Sequence, residues 1–226
     1  MRLPGLRSLP GVGGWDTDPA WATVYDWLVE HDRVGGALWR LGSGSPLARL
    51  HAAADEVGAL PAGSRVLDVP CGGGVALRGL RPRQGLDYVA VDLAPAMLAR
   101  TRAAARRRGV SDQVTTREAD VVALPFDDDA FDLVLSLTGL HCFPDPQGAV
   151  REVARVLRPG GRLVGSALVT DTGVRFEPLR RAGAAAGLLG PLGSSDDVRR
   201  WLTTAGVREV AVERSGAFAF FSGTGG

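Results

Sequence analysis

From residue 65 onward the apolar positions change their period along the chain. Short β-branched or apolar runs, at 65–69, 88–92, 114–118, 131–136 and 161–168, alternate with segments in which apolar residues recur every three or four positions, at 75–80, 95–108 and 147–157. Strand-length runs that alternate with helical segments predict parallel strands joined by crossover helices, and therefore an α/β sheet wound in both directions with helices on both faces. Pro159 and Gly160 in "RPGG" are read as the stop after the third of these helices. Before residue 65, "DPAWATVYDWLVEHDRVGGALWRL" has helical spacing behind Asp18 and Pro19, and a second helix is predicted over 46–57. After residue 168 comes a Gly/Ala-rich piece, then "SSDDVRRWLTTAG" as a helix with Ser195 as its cap. "VREVAVERSG" and "AFAFFSG" follow as a closing antiparallel pair.

These elements sum to a seven-stranded, mostly parallel sheet of Rossmann-like, doubly wound type, with one antiparallel strand near its C-terminal edge. A flexible arm is expected at 1–14 and a single domain over 15–226. Within it, 15–60 forms a helical cap, 65–168 the ligand-binding core and 169–226 a substrate-side segment with the closing strands. No internal repeat is present.

Composition removes several function classes. The chain of 226 residues has no Lys, Asn or Ile, so all 26 basic residues are Arg. Without lysine there is no P-loop phosphate ligand and no Schiff-base amine. A net charge of +1 gives no nucleic-acid footprint. Two cysteines and three scattered histidines make no metal spacing, so no metal is expected. No stretch reads as a signal peptide or as a membrane span, and the expected location is cytoplasmic.

The candidate chemistry lies in "RVLDVPCGGGVALRGL", residues 65–80. Asp68 ends the first strand, Gly72, Gly73 and Gly74 turn into a helix, Asp92 ends the second strand, and Asp120 follows the third. A glycine turn before a helix lets a ligand approach the backbone, and an acid twenty positions on can chelate ribose hydroxyls. The same residues could make an ordinary tight turn with capping aspartates. Charge discriminates among ligands: a pyrophosphate wants cations, yet this loop has Asp68 at its mouth and no cation before Arg78. An acidic mouth suits S-adenosylmethionine, with its ammonium and its sulfonium.

Four motifs in order, "VLDVPCGGG", "VAVDLAPAMLARTR", "READVVALPFDDDAFDLVLSLTGLHCFPD" and "EVARVLRPGGRLVGS", together resemble the class I S-adenosylmethionine-dependent methyltransferases. Within that class they look most like the methyltransferase type 11 group that includes the menaquinone and ubiquinone C-methyltransferases. The resemblance implies S-adenosyl-L-methionine as cofactor, with Asp68 near its ammonium and Gly72 and Gly73 against the methionine portion. It puts Asp92 on the ribose, Asp120 and Val121 on the adenine edge, Leu93 and Met97 on the adenine faces, and Ser136 at the end of the fourth strand. Tyr25-Asp26 resembles a tyrosine-aspartate pair that lies near the cofactor in this group, with Tyr25 as a roof. Pro70 departs from the group's first glycine and removes one N–H donor from the turn.

Methyl transfer needs little from a protein beyond positioning and, for some acceptors, proton removal. His141 in "GLHCFPD" is a candidate base, with a packed loop histidine as the plain alternative. The segment 177–195 is read as a lid over an apolar or aromatic acceptor, or as a simple connection. The function expected is O- or C-methylation of a small molecule; the alternative is a non-catalytic S-adenosylmethionine-binding regulatory or scaffold protein. The expected partner is the small-molecule acceptor, with a homodimer as the assembly considered.

Overall fold

In a computed structural model, residues 19–31 and 33–226 are described, with side chains from residue 23 onward. The arm expected at 1–14 lies outside the described residues. The chain runs α1 (Pro19–Glu30), α2 (Val34–Ser43), α3 (Leu47–Asp55), β1 (Arg65–Asp68), β2 (Asp87–Asp92), α4 (Pro95–Arg108), β3 (Val114–Glu118), β4 (Phe131–Ser136), α5 (Pro146–Val156), β5 (Leu157–Leu168), α6 (Glu177–Ala185), α7 (Ser195–Thr204), β6 (Arg208–Ser215) and β7 (Phe218–Thr224). The seven strands form one sheet in the order β3-β2-β1-β4-β5-β7-β6. Neighbours from β3 to β5 pair in parallel, and β7 runs antiparallel to both β5 and β6.

Alternation along the strands builds two cores. Val66, Tyr88, Ala90, Leu133 and Leu135 face a layer with α3 and α4, through Leu50, Leu98 and Ala105. Leu67, Val89, Val91 and Val134 face the other side, against Val150, Val153 and Val156 of α5 and Leu202 of α7. Strands buried on both faces explain the continuous apolar runs in the sequence.

Four expectations about individual elements are corrected. The single helix read before residue 46 is two, because the chain leaves helical geometry after Glu30 and re-enters at Val34. The segment 75–80 forms only a 3-10 turn, Val75–Gly79. "RPGG" ends no helix by a turn: α5 passes into β5 at Leu157, and residues 158–161 form an irregularity where the pairing jumps from Phe131–Leu157 to Leu133–Arg162. Gly160 has a φ of 73° there, which glycine adopts without a steric penalty. Ser194, not Ser195, caps α7: it shares a reciprocal capping box with Asp197, while the Ser195 hydroxyl bonds Asp171.

No helix among the described residues is long and apolar enough to cross a membrane.

Candidate active site

The C-terminal ends of the parallel strands converge on the glycine turn. Val69 N–H donates to the Leu135 carbonyl and Cys71 N–H to that of Val91, so the turn is anchored to β4 and β2 at once. Asp92 fixes it further: one carboxylate oxygen accepts Gly72 N–H at 2.9 Å, the other Ala94 N–H at 3.0 Å. From α4, the Thr101 hydroxyl donates to the Gly72 carbonyl at 2.7 Å. Thr101 was missed in the sequence; its signal is a polar residue on the buried stripe that Met97, Leu98, Ala104 and Ala105 trace along α4.

Gly72 has a φ of +50°, and a Cβ there would meet open space, so the space over its backbone is open. Gly73 is different, because a Cβ there would collide with the Asp26 carboxylate. Asp26 reaches over the turn from α1 and pairs with Arg100 of α4 at 3.0 Å. Burial raises its carboxyl above the usual range, against the pull of Arg100.

Asp68 lies beneath the turn and is almost wholly buried. It accepts the Tyr88 hydroxyl at 2.8 Å. Burial, with a smaller contribution from neighbouring Asp92, pushes its carboxyl up to about 7, while the Tyr88 bond works the other way. The loop after β3 lies beside β2, since Ala119 N–H donates to the Asp92 carbonyl. Asp120 is exposed and turns the loop by accepting Val122 N–H at 3.1 Å; Val121 is buried. Leu93 is 57% exposed at the end of β2, whereas Met97 packs on Ala94. Ser136 is buried at the end of β4, close to Gly139 and Pro70.

Beyond β4 and β5 the structure adds an apolar cavity of about 180 Å³, lined among others by Tyr25, Trp39, Thr138, His141, Leu189 and Phe218. Trp39 stacks on Phe218 with ring centroids 5.3 Å apart, and Tyr25 meets Trp39 edge-on. The Tyr25 hydroxyl and Thr138 Oγ1 are 2.7 Å apart. Residues from α6 and the loop after it, Leu179, Gly183, Leu188 and Leu189, form the outer wall, so the segment read as a lid does border a cavity.

His141 sits on the wall with Nδ1 accepting the Leu168 N–H at 3.1 Å. Burial drives its pKa down to about 4, so the ring is neutral at physiological pH. With Nδ1 as acceptor, the neutral ring carries its proton on Nε2. Proton capture at Nε2 would need the other tautomer and the loss of the Leu168 bond. Thr138, Trp39 and Phe218 were not singled out by sequence reasoning as site residues, because they converge only through the order of the sheet.

Residues 67–165 match the family model described as a methyltransferase domain. The chain is 46% identical over 101 residues to the demethylmenaquinone methyltransferase of Thermus thermophilus, an alignment that covers 44% of this chain and 45% of that one. It is 36% identical over 104 residues to the 27-O-demethylrifamycin SV methyltransferase of Amycolatopsis mediterranei, covering 46% and 38%. The chain thus spans less than half the length of these curated relatives. Its fold is similar to that of a Haemonchus contortus phosphoethanolamine N-methyltransferase solved with S-adenosylhomocysteine, with a TM-score of 0.70 at 17% identity over 90% of this chain and 57% of that one.

Proposed function

Because residues 67–165 match the methyltransferase-domain family model, we propose that the chain is an S-adenosylmethionine-dependent methyltransferase acting on a small apolar or aromatic molecule at oxygen or carbon. The observation that carries this reading is the juxtaposition of an acid-lined glycine turn with an apolar cavity. That two relatives are named for demethylmenaquinone and for 27-O-demethylrifamycin SV supports a small-molecule acceptor.

The residues present fit the cofactor. Asp68, Asp92 and Asp26 surround the turn, with Arg100 paired to Asp26, so acidic groups outnumber the cation there, which suits a cationic ligand, and open space over Gly72 leaves its backbone approachable. When bound, S-adenosylmethionine supplies an electrophilic methyl group together with its leaving group. Asp68 faces the ammonium, whose bound positive charge would draw its raised carboxyl into the ionised form, while Asp26 shares its charge with Arg100. Asp92 takes the ribose from the end of β2, its carboxylate oriented by the amides of Gly72 and Ala94. Leu93 and Met97 take the adenine faces, Asp120 and Val121 its edge, and Ser136 borders the cofactor from β4.

Tyr25 roofs the junction between cofactor and cavity, held by Thr138. His141 contacts the acceptor through Nε2. In the tautomer fixed by Leu168 it is a donor that orients an acceptor oxygen, and the base role requires exchange of that tautomer. Rate enhancement then comes chiefly from alignment in a dry cavity.

Calorimetric titration tests the reading: S-adenosylhomocysteine should bind and NADH should not. Binding of NADH with no response to S-adenosylhomocysteine would overturn it.

A further inference from the structure

Helix α2 is apolar on two opposite sides. Gly35, Trp39 and Ser43 are buried against the body, with Trp39 on Phe218. At 100° per residue, Val34, Ala37, Leu38 and Leu41 gather within about 100° on the other side, facing solvent. Leu41 is 85% exposed and Val34 59%. Core packing does not account for this outer stripe.

The stripe continues beyond α2. Val174, 89% exposed, precedes Arg175 and Phe176, which share a surface groove with Ala37, Arg40 and Leu41. Val24 and Leu179 are exposed and also line the acceptor cavity, so the cavity opens toward this side. Of the nine exposed large apolar residues among those described, seven belong to this region: Val24, Trp27, Val34, Leu38, Leu41, Val174 and Leu179. Exposed apolar residues scattered singly are ordinary, but a contiguous rimmed patch marks an interaction site.

Charge indicates the partner. Arg33 and Arg40, seven residues apart, run along one edge of the stripe, and Arg175 stands across the groove. No ion pair of these three with a described residue is present, whereas Asp26, Glu30 and Glu177 of α1 and α6 are each paired with an arginine. Among the described residues, the uncompensated charge of the face is therefore positive. Apolar side chains flanked by arginines that can snorkel are what an anionic lipid surface takes up.

We propose that the face formed by α2, the outer residues of α1 and the segment 174–179 docks on an anionic membrane surface, with the mouth of the cavity turned toward the lipid. The docking stands on the surface itself. Delivery of a lipid-dissolved acceptor to the cavity rests in addition on the proposed methyl transfer.

Co-sedimentation of the full chain with vesicles tests this, using phosphatidylcholine alone and equal parts of phosphatidylcholine and phosphatidylglycerol. Binding to the mixed vesicles, weakened by salt and lost in Leu41→Glu/Val174→Glu, is expected. Each arginine near such a surface is worth about fivefold in partitioning, so Arg33→Ala/Arg40→Ala/Arg175→Ala should lose about a hundredfold. Equal affinity for both vesicles, or binding that survives Leu41→Glu/Val174→Glu, overturns the proposal. So does a dimer, seen by sedimentation velocity, that these changes dissociate, because the face then belongs to a second copy. Titration of the same variants with S-adenosylhomocysteine separates the two readings: retained cofactor binding with lost vesicle binding confirms docking as a separate property, and cofactor binding that fails in the unaltered chain overturns the methyl-transfer reading alone.

Discussion

Replacing Asp68 by Asn should stabilise the protein at alkaline pH while weakening cofactor binding. Asp68 is buried, its carboxyl is held at about 7 against an ordinary 3.8, and its polar contact is the Tyr88 hydroxyl. An amide oxygen can keep that bond. In the folded protein the carboxyl stays protonated to about pH 7, while in the unfolded chain it ionises near 3.8. Between those limits the folded state holds the extra proton, so this group makes stability fall as pH rises and then level off. The full difference corresponds to about 4 kcal/mol above pH 7 and less than half of that at pH 5. Asn at this position has no such penalty.

His141 contributes with the opposite sign: its folded pKa of about 4 lies below the ordinary 6.5, so its stabilisation is present above 6.5 and is lost as pH falls toward 4. From about pH 4 to 6.5 the two slopes offset each other in the parent. In Asp68→Asn the falling contribution of Asp68 is gone, and between pH 4 and 6.5 stability should climb relative to the parent, with the raised carboxyl of Asp26 still working against the histidine slope. Urea melts of both proteins at pH 5, 6, 7 and 8 read this directly. A gain at pH 8 below ~1 kcal/mol, or one that does not grow with pH, refutes the reasoning, because burial would then not dominate the environment of Asp68.

Asp92→Ala leaves the amides of Gly72 and Ala94 without their charged acceptor, and should cost about 2–4 kcal/mol in chemical denaturation and abolish detectable S-adenosylhomocysteine binding in calorimetry. Gly73→Ala pushes a methyl group into the Asp26 carboxylate, so it should lower the melting temperature, and Asp26→Ala added to it should restore that temperature. His141→Ala should leave cofactor affinity intact and slow turnover; if the parent shows an acid limb from this residue, that limb lies near pH 4 rather than 6.5, as a rate profile will reveal.

The sheet was legible because strands buried on both faces write unbroken apolar runs, and the crossover helices between them keep a clear 3.6-residue period. What failed were local decisions made by partners distant in sequence. Pro159 and Gly160 look like a helix stop, yet pairing with β4 carries the chain on as β5. Ser194 and Ser195 are equivalent in sequence, and it is Asp171, brought close in space, that claims the second. The site divides in the same way. Asp68, Asp92 and the glycines stand at strand ends that the pattern locates. That Asp26 would lie over Gly73, and that Leu168 would set the tautomer of His141, depends on the packing of α1 and on β5 lying beside β4.

The cavity draws its walls unevenly from the chain. Thr138 and His141 come from within 67–165; every other lining residue, from Val24 to Trp39 and from Leu168 to Phe218, comes from the flanks. The molecule thus separates a segment that matches a family model from flanks outside that match, which supply most of the cavity wall. On the proposed reading, the central segment can keep its hold on the donor while point changes in α1, α2, α6 and β7 reshape the space beside it, so that new acceptors can be tried without relearning how to bind the donor.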